Sequence, residues 1–338
     1  MSITIVDIAK RAGVSPSTVS RVISGNPRIS DATARRVKAI MDELGYHPNA
    51  MAKSLVQGVT HTIGLLLPRS AEELFQNQFF AEVIRGIVTR ATRSEYDLML
   101  ATGTSEREEL DTVNRLMRGR RIDGLILLHS RSSDPVVALL TAHRFPFVLI
   151  GRSDEAPDIL TVDNDNVQAA YDVTRHLLLQ GHQRVGFVSG PPNLVVSKDR
   201  LAGYRKAMED SGIPTRQEWV VEGDFLQESG YRAMSLIMQL PEPPTALVVM
   251  DDMMALGVLS GVSELGFKVP DDLALFGFNN IPLSALTTPP ISSVDIGVYQ
   301  LGYMASQRLL QAIKGEPIPA ARTLIPHRLI VRDSSLMR

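Results

Sequence analysis

A chain of 338 residues, 44% hydrophobic and 21% charged with a formal net charge of −2, is long enough for two or more cores and too balanced for a disordered or fibrous architecture. The absence of cysteine excludes disulfides, thiolate metal sites and cysteine nucleophiles, and no His-x-x-x-His pair points to zinc. With no run of eighteen apolar residues and no basic-then-apolar amino terminus, the expectation is a cytoplasmic protein without cofactor, metal or membrane partner.

The charge is unevenly spread. Residues 1–60 carry eight Lys/Arg against four Asp/Glu, and the remainder 27 against 33, so a basic head precedes an acidic body.

Within the head, Thr4 stands as N-cap before Ile5, Ile8, Ala9 and Ala12 at helical spacing, and Gly13 ends that helix. Ser15 caps a second helix with Pro16 at its first position. Its Val19, Val22 and Ile23 point one way and Ser17, Ser20 and Arg21 the other. Short hydroxyls beside one guanidinium suit the edges of bases in a major groove. A third helix, from Asp31 to Leu44, is capped by Ser30 and stopped by Gly45. Next, Pro48 and Asn49 open a stretch, Ala50 to Leu55, too short to be a stable helix alone.

The run from Thr4 to Ile23, then Asn26, then Leu44-Gly-Tyr-His-Pro-Asn-Ala50, resembles the LacI/GalR family of bacterial regulators. The resemblance implies that Pro16 and Ser17 hold the two positions that set operator preference and that Arg21 is the arginine in the groove. Pro16 can offer only van der Waals contact, which leaves Ser17 and Arg21 as the direct readers. Thr4, Ser15, Thr18, Ser20 and Asn26 complete the candidate contacts of the head. In the hinge the candidates are Asn49, Ala52 and Leu55, the last matching the family's leucine wedge in the minor groove.

In the body, short apolar runs alternate with amphipathic segments. Ile63–Leu67, Leu98–Ala101, Gly124–Leu128, Phe147–Ile150, Val185–Val188, Ala246–Met250 and Leu273–Phe276 read as buried parallel strands. Phe79–Arg93, Glu106–Arg118, Asn166–Gln180, Asp199–Asp210 and Met253–Leu265 read as helices between them. Repeated β-α units of this kind build doubly wound sheets with ligands at the carboxyl ends of the strands.

The fold expected is therefore an all-α helix-turn-helix head (1–47) and hinge helix with linker (48–60) on an α/β body (61–338). The resemblance implies that the body has two lobes of type I periplasmic-binding-protein form, the first 61–161 plus 291–320 and the second 162–290 plus 321–334. Crossings are expected near 161, 290 and 320.

Carried over by position, the family's effector cleft falls on Phe75, Gln76, Asn77 and Phe79, where aromatics stand beside planar amides in a common carbohydrate arrangement. Phe79 and Phe80 equally suit a helix start packed on the core. Arg200 matches the effector-gripping arginine, with a surface salt bridge as its plainer reading, Phe225 an aromatic stacking position and Asp251 a hydroxyl-binding one. Asn279 stands where the family has an aspartate, so an amide that can also donate replaces a carboxylate. Arg152 and Asp163, at strand ends, are added as cleft candidates.

Phe75–Phe80, Gly119–Gly124, Val162–Val167 and Lys198–Arg200 resemble most the repressors of maltose and maltodextrin operons in Gram-positive bacteria. The function so implied is repression of carbohydrate genes by a homodimer on a pseudo-palindromic operator, controlled by a sugar, maltose or a malto-oligosaccharide. The chain has no leucine heptads near residue 338, so a dimer rather than a tetramer is expected. Alternatives are a catabolite regulator of the same family answering to another sugar or a phosphocarrier protein, and, more remotely, a solute-binding protein. An enzyme is disfavoured, because no Gly-x-Gly-x-x-Gly after a strand, Walker loop or Gly-x-Ser-x-Gly is present.

Overall fold

The computed structural model describes residues 3–46, 58–67 and 76–336, so the candidates Asn49, Ala52, Leu55 and Phe75 lie outside the described residues. Two compact units divide the chain, residues 1–61 with 120–123, and 62–119 with 124–338.

The first unit holds α1 (Ile5–Ala12), α2 (Pro16–Ile23) and α3 (Asp31–Glu43). Each helix begins where its sequence says it should. The Asp7 carboxylate accepts from both the Thr4 amide (2.8 Å) and the Thr4 hydroxyl (2.7 Å), which holds it below the usual carboxylate range. The Ser15 hydroxyl accepts from the Thr18 amide at 3.1 Å and that of Ser30 from Thr33 at 3.4 Å. Gly13, at φ 64°, makes the turn between α1 and α2 in a left-handed conformation that glycine adopts without penalty. Ile8, Ala9, Ala12, Val19, Val22 and Val37 form a small core of their own, with Ala34, Met41 and Leu44 packed on its edge. At the end of this unit, the Asp123 carboxylate accepts from the Thr60 amide (2.7 Å) and the His61 amide (2.8 Å).

The second unit contains two six-stranded sheets. One runs β11-β5-β4-β3-β1-β2 and the other β12-β10-β9-β8-β6-β7. In the first, β1 (Thr62–Leu67), β2 (Asp97–Thr102), β3 (Gly124–Leu127), β4 (Phe147–Ile150), β5 (Thr161–Asp163) and β11 (Arg322–Leu324) are all parallel. In the second, β6 (Val185–Ser189), β7 (Val220–Glu222), β8 (Ala246–Val249), β9 (Ala274–Phe278) and β10 (Ser292–Asp295) are parallel and β12 (Arg328–Ile330) is antiparallel. The central strands β6, β8 and β9 are buried along their whole length and β1 from Ile63 onward, as continuous apolar runs require.

Helices α4 (Gln78–Thr92), α5 (Glu106–Arg118), α6 (Pro135–Ala142) and α11 (Val298–Lys314) belong to the first lobe; α7 (Asn166–Leu179), α8 (Val195–Asp210), α9 (Gln227–Ile237) and α10 (Asp252–Glu264) belong to the second. In both lobes the first strand sits between the second and third, so the winding reverses beside β1 and β6 and opens a crevice at their carboxyl ends. Among the described residues no helix is long and apolar enough to cross a membrane.

The chain crosses between lobes later than the expected residues 161, 290 and 320. Strand β5 still belongs to the first sheet, β10 still to the second and β11 to the first, so the crossings follow Asp163, Asp295 and Leu324. These outer strands are three or four residues long and partly polar, as in Ser292-Ser293, so no apolar run marks them in the sequence.

Candidate functional site

On the head, α2 offers its polar face to solvent while Val19 and Val22 anchor the other. Pro16, Ser17 and Arg21 are exposed, and Thr18 and Ser20 half-buried. The Ser15 hydroxyl lies 2.8 Å from that of Ser17 and 2.9 Å from that of Thr18, a hydroxyl cluster at the amino end of α2. Donors at a helix N-terminus together with one guanidinium suit phosphate and base edges alike. Thr4 is exposed, and the Asn26 side chain accepts from the Arg28 amide at 3.0 Å, which shapes the loop after α2.

In the body, a cavity of about 330 Å³ lies between the lobes and gathers Asn77, Phe79, Arg152, Asp163, Arg200, Phe225, Asp251 and Asn279 from both of them. Phe79 and Phe80 meet edge to face at 5.3 Å; both line the cavity and both pack on the core. Gln76 is exposed and belongs instead to an adjoining recess with Leu226, Gln227 and Met253.

Arg200 is not a surface salt bridge. It is 4% exposed, donates to the Asn166 side chain at 3.0 Å and the Met250 carbonyl at 2.6 Å, and lies 4.1 Å above the Phe278 ring. Burial pushes its guanidinium down to about 10, against the pull of Asp251 and Asp163, yet it stays cationic at neutral pH.

Asp251 caps α10 by accepting from the Met253 amide at 2.7 Å, while its other oxygen accepts from Asn279 at 2.8 Å and Asn77 at 3.2 Å. The amide at position 279 now has a reason: a carboxylate there would face a second buried carboxylate, whereas Asn279 donates to it. Burial lifts Asp251 to about 6 in spite of these donors, and lifts its neighbour Asp252, held by Ser293 at 2.7 Å, well above the usual range. A carboxyl raised in the folded state binds its proton more tightly there, so its contribution to stability is lost as pH rises through the folded value. Relative to the Asp251→Asn protein, the parent should lose about 2–3 kcal/mol of unfolding free energy between pH 4 and 7, read by denaturant titration at both pH values.

Arg152 stands at the cleft as expected but is already engaged. It forms a two-pronged pair with Asp199 of the second lobe at 2.8 and 2.5 Å and a further pair with Asp154, and so links the two sides of the cleft. Asp163 accepts from the Asn164 amide at 2.8 Å and from Asn166 at 3.0 Å, with Arg322 at 3.4 Å.

The cavity is also lined by residues to which the sequence pattern assigns no role. Asn164 and Asn166 sit in the Val162–Val167 motif and Asp199 beside Arg200, so their positions were in view without a role. His129 gave no signal: it is buried, kept neutral by burial and then by Arg131, down to about 3, and lies between Asp134 (3.5 Å) and the Glu109–Arg131 pair. The lobes are also laced together by main chain. The Val195 amide donates to Ser130 at 3.0 Å, the Ser132 amide to Asn193 at 3.1 Å, and the Lys198 ammonium reaches the Ser132 hydroxyl at 2.6 Å.

A model of bacterial regulatory proteins of the lacI family matches residues 4–49, and one of a periplasmic binding protein-like domain matches residues 174–335. The chain is 38% identical over 335 residues to the HTH-type transcriptional regulator MalR of Streptococcus pneumoniae serotype 4, covering 98% of this chain and 99% of that protein. Among solved structures it is similar to a complex of the transcriptional regulator CelR with cellobiose, at TM-score 0.77 and 31% identity over 98% of this chain and 99% of that one. It is also similar to the lac repressor dimer bound to operator and the anti-inducer ONPF, at TM-score 0.87 and 26% identity over 100% of both chains. A capped helix-turn-helix on a two-lobed, cleft-bearing body, matched from end to end by such relatives, places this chain in the lacI family of bacterial transcription regulators.

Proposed function

We propose that the protein is a cytoplasmic homodimeric repressor of carbohydrate-utilisation genes, whose hold on a pseudo-palindromic operator is set by a neutral sugar, maltose or a short malto-oligosaccharide, in the interlobe cavity. The head (1–47) reads the operator through Ser17 and Arg21, the hinge (48–60) supplies Leu55 as the minor-groove wedge, and the body (61–338) dimerises and senses.

The observation that carries the choice of effector is the charge balance of the cavity. Three arginines and three aspartates line it, and two of the arginines are already met by carboxylates, Arg131 by Glu109 and Arg152 by Asp199. Arg200 is met by neutral oxygens and balanced by the charge of Asp251, beside the Met250 carbonyl to which it donates. A phosphorylated ligand would need an unmatched cationic cluster, whereas amides, carboxylates and aromatic rings around a balanced interior suit a polyhydroxylated, uncharged ring. The 38% identity to MalR and the cellobiose-bound CelR support a glucose-based disaccharide in particular.

Operator binding at fixed salt, with and without a panel of sugars, tests both halves of the proposal. Maltose or maltotriose should change operator affinity at least about fivefold, as a typical allosteric coupling does. Arg21→Ala should weaken operator binding by about 1–3 kcal/mol and relax the preference at one base pair while leaving sugar binding alone. A panel in which no maltodextrin alters DNA binding or binds the folded protein would refute the choice of effector.

A further inference from the structure

The body changes lobe three times, and one side chain touches all three crossings. Asn164 lies on the first, just after β5, and its amide nitrogen donates to the carbonyl of Ile296 on the second and to that of Ile325 on the third, each at 2.8 Å. Only the nitrogen of an amide can sit between two carbonyl oxygens, so the assignment of that group is fixed by its partners. Asn164 is 3% exposed. Around it the crossings are tightly packed: the Ile325 amide donates to the Asp163 carbonyl at 2.8 Å, and a Cβ on Gly297 would approach the Ile325 side chain to 2.9 Å.

The same residue is joined to the cavity. Arg200 donates to Asn166, Asn166 donates to Asp163, and the Asp163 carboxylate accepts from the Asn164 amide (2.8 Å) on the peptide that carries the staple. Arg200, Asn166 and Asp163 all line the cavity, so a group pressing on any of them is linked to the point about which the lobes turn.

We propose that Asn164 is a positioning residue that sets the angle between the lobes, by holding the three crossing peptides in one fixed arrangement, and relays occupancy of the cavity to that angle. Its amide is planar and its two hydrogens diverge at a fixed angle, so a relative twist of the crossings breaks one of the two bonds. Lobe rotation is thereby confined to two arrangements, both bonds kept or one released, rather than a continuous flexing.

The test needs no ligand and so stands apart from the choice of sugar. Because the chain has no cysteine, spin labels placed by Arg107→Cys on the first lobe and Glu209→Cys on the second are the only reactive thiols, and both positions are exposed. In the full-length protein, with labelled chains diluted into an excess of unlabelled ones so that only distances within one protomer are read, the distribution should be narrow, and Asn164→Ala should broaden it about twofold or add a second peak. Asn164→Ser, which retains one donor, should fall between and supplies the answer if Asn164→Ala does not fold. A distribution of parental width in the folded variant, even with lowered thermal stability, would overturn the proposal and leave Asn164 a packing residue. In a second measurement, the ratio of operator affinities with and without maltotriose should shrink at least about threefold in Asn164→Ser. If the parent binds no maltodextrin, the sugar reading fails while the distance measurement still decides the staple.

Discussion

Arg200→Met should lower maltotriose affinity about 100-fold or more, because it deletes a desolvated cation from the centre of the cavity and leaves its former acceptors unmet. The Asn166 side-chain oxygen and the Met250 carbonyl both lose their donor, so the second lobe should also lose some thermal stability. Arg200→Lys keeps the charge but cannot reach two acceptors and stack on Phe278 at once, and should recover only part of the affinity. Titration calorimetry with maltotriose decides the matter. An Arg200→Met protein that binds within about threefold of the parent would show that the guanidinium supports the fold and not the ligand.

A larger effect, confined to the other unit, is expected from Val19→Asp. Val19 is fully buried at the centre of a core with six buried aliphatic side chains edged by partly buried ones, and a core of that size has little stability in reserve. A carboxylate placed there without a partner costs several kcal/mol, enough to unfold α1 to α3 together. Operator binding should fall about 1,000-fold or more, to the non-specific level, in a gel-shift titration. The body has a separate core, so maltotriose binding and the body's unfolding transition should stay at parental values. Retained operator affinity would mean that the head tolerates a charge at the centre of its core, which the packing around Val19 does not accommodate.

The head was legible almost to the residue, because each of its boundaries is written in local chemistry. Thr4, Ser15 and Ser30 cap, Pro16 opens, and Gly13 and Gly45 close, and the helices begin and end beside them. The central strands of the body were equally plain as apolar runs, and β4 spans Phe147–Ile150 as expected. Strands such as β10 and β12 were not, since their three or four residues owe their conformation to pairing with one another across the chain. The same division holds for the cleft. The arginine, aspartate and asparagine positions were visible by type, but their partners were not: Asp199 takes up Arg152, and Asn279 turns its amide to Asp251. Such pairings join residues 28 or more positions apart, which no local pattern encodes.

The links across the cleft carry a consequence for time rather than for affinity. Any parting of the lobes must separate Arg152 from Asp199 and Asn77 from Asp251, and unlace Ser130 and Ser132 from Val195 and Asn193. For a ligand that leaves through the parted lobes, residence time is set in large part by how often they come apart. The speed at which such a regulator follows its environment is then written in part into the main-chain links between the lobes, at Ser130, Ser132, Asn193 and Val195, none of which is among the proposed effector contacts.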